Sequence, residues 1–310
     1  MDILLILVIA LVIDLTLGEP PRALHPVVWM GKLGSLLERG GIGRHSRVQF
    51  AYGAGMTLLL LGLFTASAYF IVFYLRSFNF AAYVIIGAVL LKSTFSLKEL
   101  RHEAIKIKNL LLKEELDVAR FELRSLVSRN TQDLPSPRLV SATVESVAEN
   151  TCDSFVAPLF YFLLFGIPGA VAYRVVNTLD ARIGYHGKYE YLGKFASKLD
   201  DVLNFVPARL TALLLVAASF LSKRDARASW QVALSAHAKT ESPNAGWTMA
   251  ATAGALNVQL EKEGHYKVGT GDAPLTPETI DASLKLTQVA VLIWVVICFI
   301  AGAIYFVVTA

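Results

Sequence analysis

The chain has 310 residues, of which 55% are hydrophobic and only 17% charged, with a mean hydropathy of +0.52. A soluble domain carries about 25% charged residues, so the composition excludes a disordered chain, a disulfide scaffold and an ordinary cytosolic enzyme. The net charge of +4 is modest, and neither Cys152 nor Cys298 has the spacing of a disulfide framework or a zinc site.

Apolar runs occur at Ile3–Leu17, Ala51–Leu75, Phe78–Leu91, Phe155–Val176, Val202–Leu221 and Leu286–Thr309. A membrane span takes roughly 20 apolar residues, which the second and last runs meet comfortably. The first run is short and contains Asp14; Met1-Asp2 gives it no basic leader, so it reads as a retained helix and not a signal peptide. The third ends at Lys92, the fourth contains Pro158 and Pro168, and the fifth follows Asp200, Asp201 and Asn204 and includes Arg209. The expected fold is therefore all-α: a polytopic helical membrane protein of about five to six spans, treated as a single membrane domain over 1–310.

Lysine and arginine number five in 18–50, ten in 92–154, four in 177–201 and seven in 222–285. If all six runs cross, the first, second and last of these basic groups lie in the cytoplasm and 177–201 lies outside. If the fourth and fifth runs are re-entrant, all four share the cytoplasmic face; their prolines and polar residues suit the protein-lined or watery surroundings that irregular backbone requires. Within 92–154, Lys98–Val127 carries Leu100, Ile107, Leu111, Leu116, Leu123 and Leu126 at a spacing that predicts one or two amphipathic helices. These pack on neighbouring helices or dock on a membrane surface. Asp133-Leu-Pro-Ser-Pro137 breaks the chain before the next helix, and 222–285 is read as a cytoplasmic loop region.

Polar residues gather in a few places. Asp14, Glu19 and His25 follow one another where the first apolar run ends; a carboxylate in such a run is a functional-site candidate or a helix cap. In S141-ATVESVAENTCDSFVAPLF, Glu145, Glu149 and Asp153 fall four apart on one face if the helix continues. Like charges so spaced repel, and a cation, a basic ligand or a shifted pKa offsets the repulsion; Mg²⁺ with substrate phosphates would meet that need. In A172-YRVVNTLDARIGY, Tyr173, Asn177, Asp180 and Gly184 recur at helical spacing, with Arg174 and Thr178 beside them. This stripe suits ligand binding or hydrogen bonding between helices. In L199-DDVLNFVPARLTA, Asp200 and Asn204 share a face and Arg209 needs a counter-charge, which a structural Asp–Arg pair would also supply. S242-PNAGWTMAATAGAL is rich in small residues, as close helix packing demands, and Asn244 and Trp247 either contact a ligand or fix the turn. His265–Pro274 reads as a loop. Phosphate-loop, zinc-protease and dinucleotide motifs are absent. The residues alone thus lead to a polytopic membrane protein with an acidic site in or beside the membrane, and a transporter is an alternative to an enzyme. NTLDARIGY also reproduces a fragment of the carboxylate array of membrane alcohol-phosphotransferases.

Taken together, D-LTLGEPP…HPV, ESVAENTCDSFVAPLF, AYRVVNTLDARIGY, LDDVLNFVPARLTA and SPNAGW…AGAL resemble the CobD/CbiB family of adenosylcobinamide-phosphate synthases, membrane proteins of cobalamin biosynthesis. The likeness runs in order from about Asp14 to Tyr266. It departs at Ser128-Arg-Asn-Thr131, where Asn130 stands in place of the family's acid, and after Asp153, where many relatives have glycine. The resemblance implies an acid–amine ligase that joins the carboxylate of adenosylcobyric acid to aminopropanol or its phosphate, using ATP and Mg²⁺, with cobalt only inside the corrinoid. It further implies a multi-pass protein of the cell membrane with a cytoplasm-facing site, contacts with the lipid bilayer and other cobalamin-assembly enzymes, and no nucleic-acid partner. Carried onto this chain, Glu145, Glu149 and Asp153 become candidates for metal binding or for deprotonating the attacking ammonium. Arg174 and Arg209 would offset phosphate charge, and Asn177, Asp180, Asp200 and Asn204 would orient substrate or complete the metal shell. Asp14, Glu19, His25, Tyr173, Thr178, Asp201, Asn244 and Trp247 complete the candidate substrate-binding set.

Overall fold

The computed structural model describes residues 2–309. In chain order the helices are α1 (Asp2–Thr16), α2 (Pro26–Glu38), α3 (Ser46–Phe78), α4 (Phe80–Lys92), α5 (Leu97–Leu112), α6 (Leu116–Glu122), α7 (Ser136–Thr151), α8 (Ala157–Ile183), α9 (Lys194–Leu203), α10 (Phe205–Leu221), α11 (Ala226–Ala236), α12 (Ala245–Leu256) and α13 (Pro277–Thr309). A π-helical turn, Cys152–Val156, links α7 to α8, and a 3₁₀ turn, His237–Lys239, follows α11. Two short antiparallel strands, β1 (Leu260–Lys262) and β2 (Tyr266–Val268), pair Leu260 with Val268. The fold is all-α and polytopic, as the composition predicts.

Among the described residues four stretches are long and apolar enough to cross a membrane: Ser46–Phe78, Phe80–Leu112, Ser136–Ile183 and Pro277–Val308. A fifth forms if Lys194–Leu203 and Phe205–Leu221, bent by 47°, count as one span. The first apolar run folds as α1, whose 15 residues fall short of a straight crossing. On α3, Leu58, Leu59, Phe70, Phe73 and Tyr74 are exposed, which is the pattern of a helix facing lipid and not a core.

The chain divides into two compact units. The first, residues 2–96, 157–204 and 298–309, packs α1 on α4 and sets α8 against α2, α3, α4 and α9. Ile6, Leu7 and Ala10 of α1 and Ala88 and Leu91 of α4 are fully buried. Inside α8 the helix is interrupted at Gly166 (φ 66°, ψ −160°), two residues before Pro168. That backbone conformation is essentially reserved for glycine, and proline cannot donate to the helical ladder. Of the two prolines noticed in this run, Pro168 therefore marks a real break.

The second unit, residues 97–156 and 205–297, has one contiguous core. Leu100, Ile107 and Leu111 of α5 and Leu123 are buried there, with Leu116 and Leu126 packed against it. The amphipathic stripe thus covers α7 and its neighbours. α7 begins at Ser136-Pro137, where proline is tolerated in the first turn. α12 is buried from Thr248 to Leu256 among α7, α10 and α11, so the small residues do serve close packing. Gly246 shows how close: a Cβ there would lie 2.0 Å from the His237 carbonyl oxygen. The 222–285 region is folded into α11, α12 and the hairpin. Part of the stretch expected to be loop forms β2, reversed at Gly264 (φ 75°); its strands are too short and too charged for an alternating pattern to reveal them.

Replacing Gly166 with alanine forces a side chain into a backbone region costing about 1–3 kcal/mol. Gly166→Ala should lower the thermal unfolding midpoint in detergent, whereas an unchanged midpoint would contradict the break in α8.

Candidate functional site

The first unit contains two polar networks. In one, Lys92 lies almost fully buried, with Nζ 3.2 Å from Asp14 Oδ1, 2.8 Å from Glu19 Oε1 and 3.1 Å from the Phe95 carbonyl. His25 is the N-cap of α2: its Nδ1 accepts from the Val27 amide at 3.2 Å, so Nε2 carries the proton and donates to Glu19 Oε2 at 2.7 Å. Burial alone would raise the Glu19 carboxyl, but the hydrogen bonds from His25 and Lys92 outweigh it and hold the pKa at about 2. Asp14, Glu19 and His25 are brought together as the sequence suggested. Lys92, which joins them, was read only as the end of an apolar run.

The second network runs along the stripe on α8 and across to α9. Arg174 Nη1 donates to Asn177 Oδ1 at 3.2 Å, and Asn177 Nδ2 points to Asp200 Oδ1 at 3.4 Å. From the other side, Tyr173 donates to Asn204 Oδ1 at 2.9 Å and Asn204 Nδ2 donates to Asp200 Oδ2 at 2.9 Å. Both oxygens of Asp200 thus face amide donors whose own carbonyls are engaged, which fixes the amide orientations. Asp180 lies close enough for its charge to act on Asp200. Thr178 instead turns back to the Arg174 carbonyl at 2.7 Å, and Asp201 pairs with Lys198 at 3.0 Å. Arg174 has no carboxylate within ion-pair distance among the described residues, and its buried Nε lacks a hydrogen-bond partner.

In the second unit, Glu145 is buried and accepts from Arg129 Nη2 at 2.5 Å, Ser141 Oγ at 2.7 Å and Tyr266 Oη at 2.9 Å. Ser141 Oγ also accepts from the Glu261 amide at 2.8 Å, and Arg138 pairs with Glu261 at 2.6 Å. α7 is thereby tied to the hairpin. Burial, reinforced by Glu145, pushes the Tyr266 phenol above its usual range, so it stays a donor. Glu149 lies near enough to act electrostatically on Tyr266. Asp153 is not the next member of a straight stripe, because the helix continues only as the π turn, whose wider winding shifts every following side chain. Among the described residues no three His, Cys, Asp or Glu side chains converge to hold a metal ion. Glu145 is neutralised by Arg129, a partner that the spacing could not reveal.

Arg209 occupies a different setting. Its Nη1 donates to the Phe205 carbonyl at 2.7 Å and to Asn244 Oδ1 at 3.2 Å. The guanidinium carbon lies 3.7 Å from the Phe205 ring centre and 5.1 Å from that of Trp247. Trp247 stacks on His237 with centroids 4.0 Å apart, and its buried Nε1 has no hydrogen-bond partner among the described residues. No carboxylate of the described residues lies within ion-pair distance of Arg209. Of the two readings the sequence left open, the structural Asp–Arg pair is not formed among the described residues, and the guanidinium lies beside two aromatic rings.

Glu145→Gln leaves Arg129 largely buried without its counter-charge and should destabilise the protein by about 3–5 kcal/mol, against about 1 kcal/mol for Tyr266→Phe. Equal losses in chemical denaturation would contradict this ranking. For Glu19, whose carboxyl sits near 2 against an ordinary 4.5, the stabilisation is complete above the ordinary value. It is lost as pH falls to about 2. Glu19→Gln should flatten the dependence of the unfolding midpoint on pH across that window, and an unaltered acid slope would refute the assignment.

The profile of the CobD/Cbib protein family matches residues 7–288. The chain is 53% identical to a protein of Dehalococcoides mccartyi (strain CBDB1) named "Cobalamin biosynthesis protein CobD", covering 99% of both chains. It is 40% identical to a "Probable cobalamin biosynthesis protein CobD" of Methanothermobacter thermautotrophicus, over 93% of this chain and 94% of that one. A protein of the same name from Pyrococcus furiosus is 42% identical over 84% and 85%. No solved structure matches. Family profile and full-length relatives agree: the chain belongs to the CobD/Cbib protein family.

Proposed function

We propose that this protein acts in cobalamin biosynthesis by joining the free carboxylate of adenosylcobyric acid to the amine of aminopropanol, or of its O-phosphate, through an amide bond. The names of its full-length relatives support the pathway. A carboxylate is a poor acyl donor, so the reaction needs activation; ATP supplies it by forming an acyl phosphate that the amine displaces.

The observation that carries this reading is Arg209. A guanidinium in an apolar helix, with aromatic faces beside it and no carboxylate partner among the described residues, is suited to receive an anion, and phosphate oxygens match its planar donors. Arg174 is a second guanidinium without a carboxylate partner among the described residues. Asp200, held at both oxygens by Asn177 and Asn204, is a fixed acceptor for substrate N–H or O–H groups. Glu145, already accepting from three donors, stabilises the fold around Arg129 and is poorly placed to take a proton. Mg²⁺ binds through one or two carboxylates together with substrate phosphates. Asp180 and Asp200, whose charges act on each other, would hold it in that way, and the bound ion would neutralise phosphate charge.

The test is an assay of the purified protein in detergent with adenosylcobyric acid, aminopropanol phosphate, ATP and Mg²⁺, read by mass spectrometry. The expected product is a corrinoid carrying the added aminopropanol phosphate, with one ADP for each amide. Arg209→Ala should reduce kcat/KM by about 10²–10³-fold, the loss typical of removing a donor to developing negative charge. Folded protein that binds the corrinoid but forms no amide with either amine would overturn the ligase reading in favour of a carrier.

A further inference from the structure

We propose that His237 is the base that removes the proton from the attacking ammonium, an inference that rests on the amide ligation proposed above. His237 follows α11, and its ring Nδ1 lies 3.0 Å from the Ala233 carbonyl and 3.1 Å from that of Leu234. A carbonyl oxygen only accepts, so Nδ1 is the donor and the neutral ring keeps its lone pair on Nε2. No donor among the described residues engages that lone pair.

The fold fixes the ring as well as its tautomer. Gly246 lets the first turn of α12 close against the His237 backbone, and the imidazole then lies on Trp247 with an interplanar angle of 22°. The same indole borders Arg209. One aromatic side chain thus carries an uncompensated cation beside it and a half-buried, orientation-locked base on its face, both within the second unit. An acyl phosphate attracted to Arg209 would lie beside the same indole as a group able to take a proton.

The surrounding ionisable groups leave His237 in that role. α12 contributes none, and Arg227 at the start of α11 is exposed. Tyr266 is committed to Glu145, Lys267 pairs with Glu261, and Glu241 pairs with His265. Lys239, two residues on, is exposed. Nε2 takes one proton from R–NH₃⁺, and the freed amine forms the C–N bond to the acyl carbon. The C–O bond to phosphate breaks, phosphate leaves with the electron pair, and the second nitrogen proton passes to the departing phosphate. His237 returns its proton to solvent.

The experiment compares pH profiles of kcat/KM for the intact protein and for His237→Asn, whose side-chain amide can still donate to the Ala233 carbonyl. The wild type should lose rate as pH falls and Nε2 becomes protonated; the variant should lack that acidic limb and be slower by about 10²–10⁴-fold. A second measurement uses the unaltered protein with methoxyamine, which is unprotonated from mildly acidic pH upward. The acidic limb should vanish with this nucleophile. A limb that persists with methoxyamine, or a His237→Asn variant of wild-type rate and profile, overturns the assignment while leaving the ligase intact. Absence of amide product from the wild type overturns the ligase reading and this inference with it.

Discussion

A charge withdrawn from water must find compensation nearby, and the fold is organised by how it meets that demand. Lys92 is enclosed by Asp14 and Glu19, Glu145 by Arg129 and two hydroxyls, and Glu38 by Arg182 and Tyr189. Each of these sets binds segments distant in sequence: α1 and the loop after it to α4, α7 to the hairpin, α2 to α8. Arg174 and Arg209 follow a different rule. Their partners within the protein are neutral amides, backbone carbonyls and aromatic rings, which orient a guanidinium without cancelling its charge. The difference separates charges that are neutralised within the fold from charges that the fold only orients.

Neutral side chains do much of the orienting. Asn177 and Asn204 each pass a hydrogen bond through an amide, so that Arg174 and Tyr173 influence Asp200 without touching it. An amide transmits direction as well as polarity: its carbonyl engaged on one side obliges its NH₂ to point to the other. Asn204 also caps α9, so the residue that ends this helix holds the carboxylate as well. The cap is made by the backbone N–H, so the side-chain amide is left to hold Asp200 and to accept from Tyr173.

Periodicity and composition made the helical, membrane-crossing architecture legible, and Pro168 and the small residues of α12 foretold the break in α8 and the tight packing of the second unit. The stripe Tyr173, Asn177, Asp180 could be drawn directly from helical spacing. What escaped depended on chain segments meeting from afar. Glu145 and Glu149 at four-residue spacing suggested a shared cation, but Arg129 arrives from a preceding loop and supplies the positive charge itself. Lys92 looked like the polar end of an apolar run until α1 came alongside. His237 sits in a short His-Ala-Lys turn with no motif around it, and only the closure allowed by Gly246 brings it onto Trp247. The strands of the hairpin are three residues each, too brief for a period to be read.

Seven of the twelve residues of α12 are alanine or glycine. Side chains without rotatable bonds lose no rotamer entropy on burial, so this helix becomes a rigid support at small entropic cost, and its neighbours can approach until backbones nearly touch. Trp247 stands at the first turn of that support, a large planar side chain on a helix with little internal freedom. The aromatic surface shared by Arg209 and His237 is therefore held in place by the fold itself, and a ligand that bound there would not have to spend free energy on freezing the receptor.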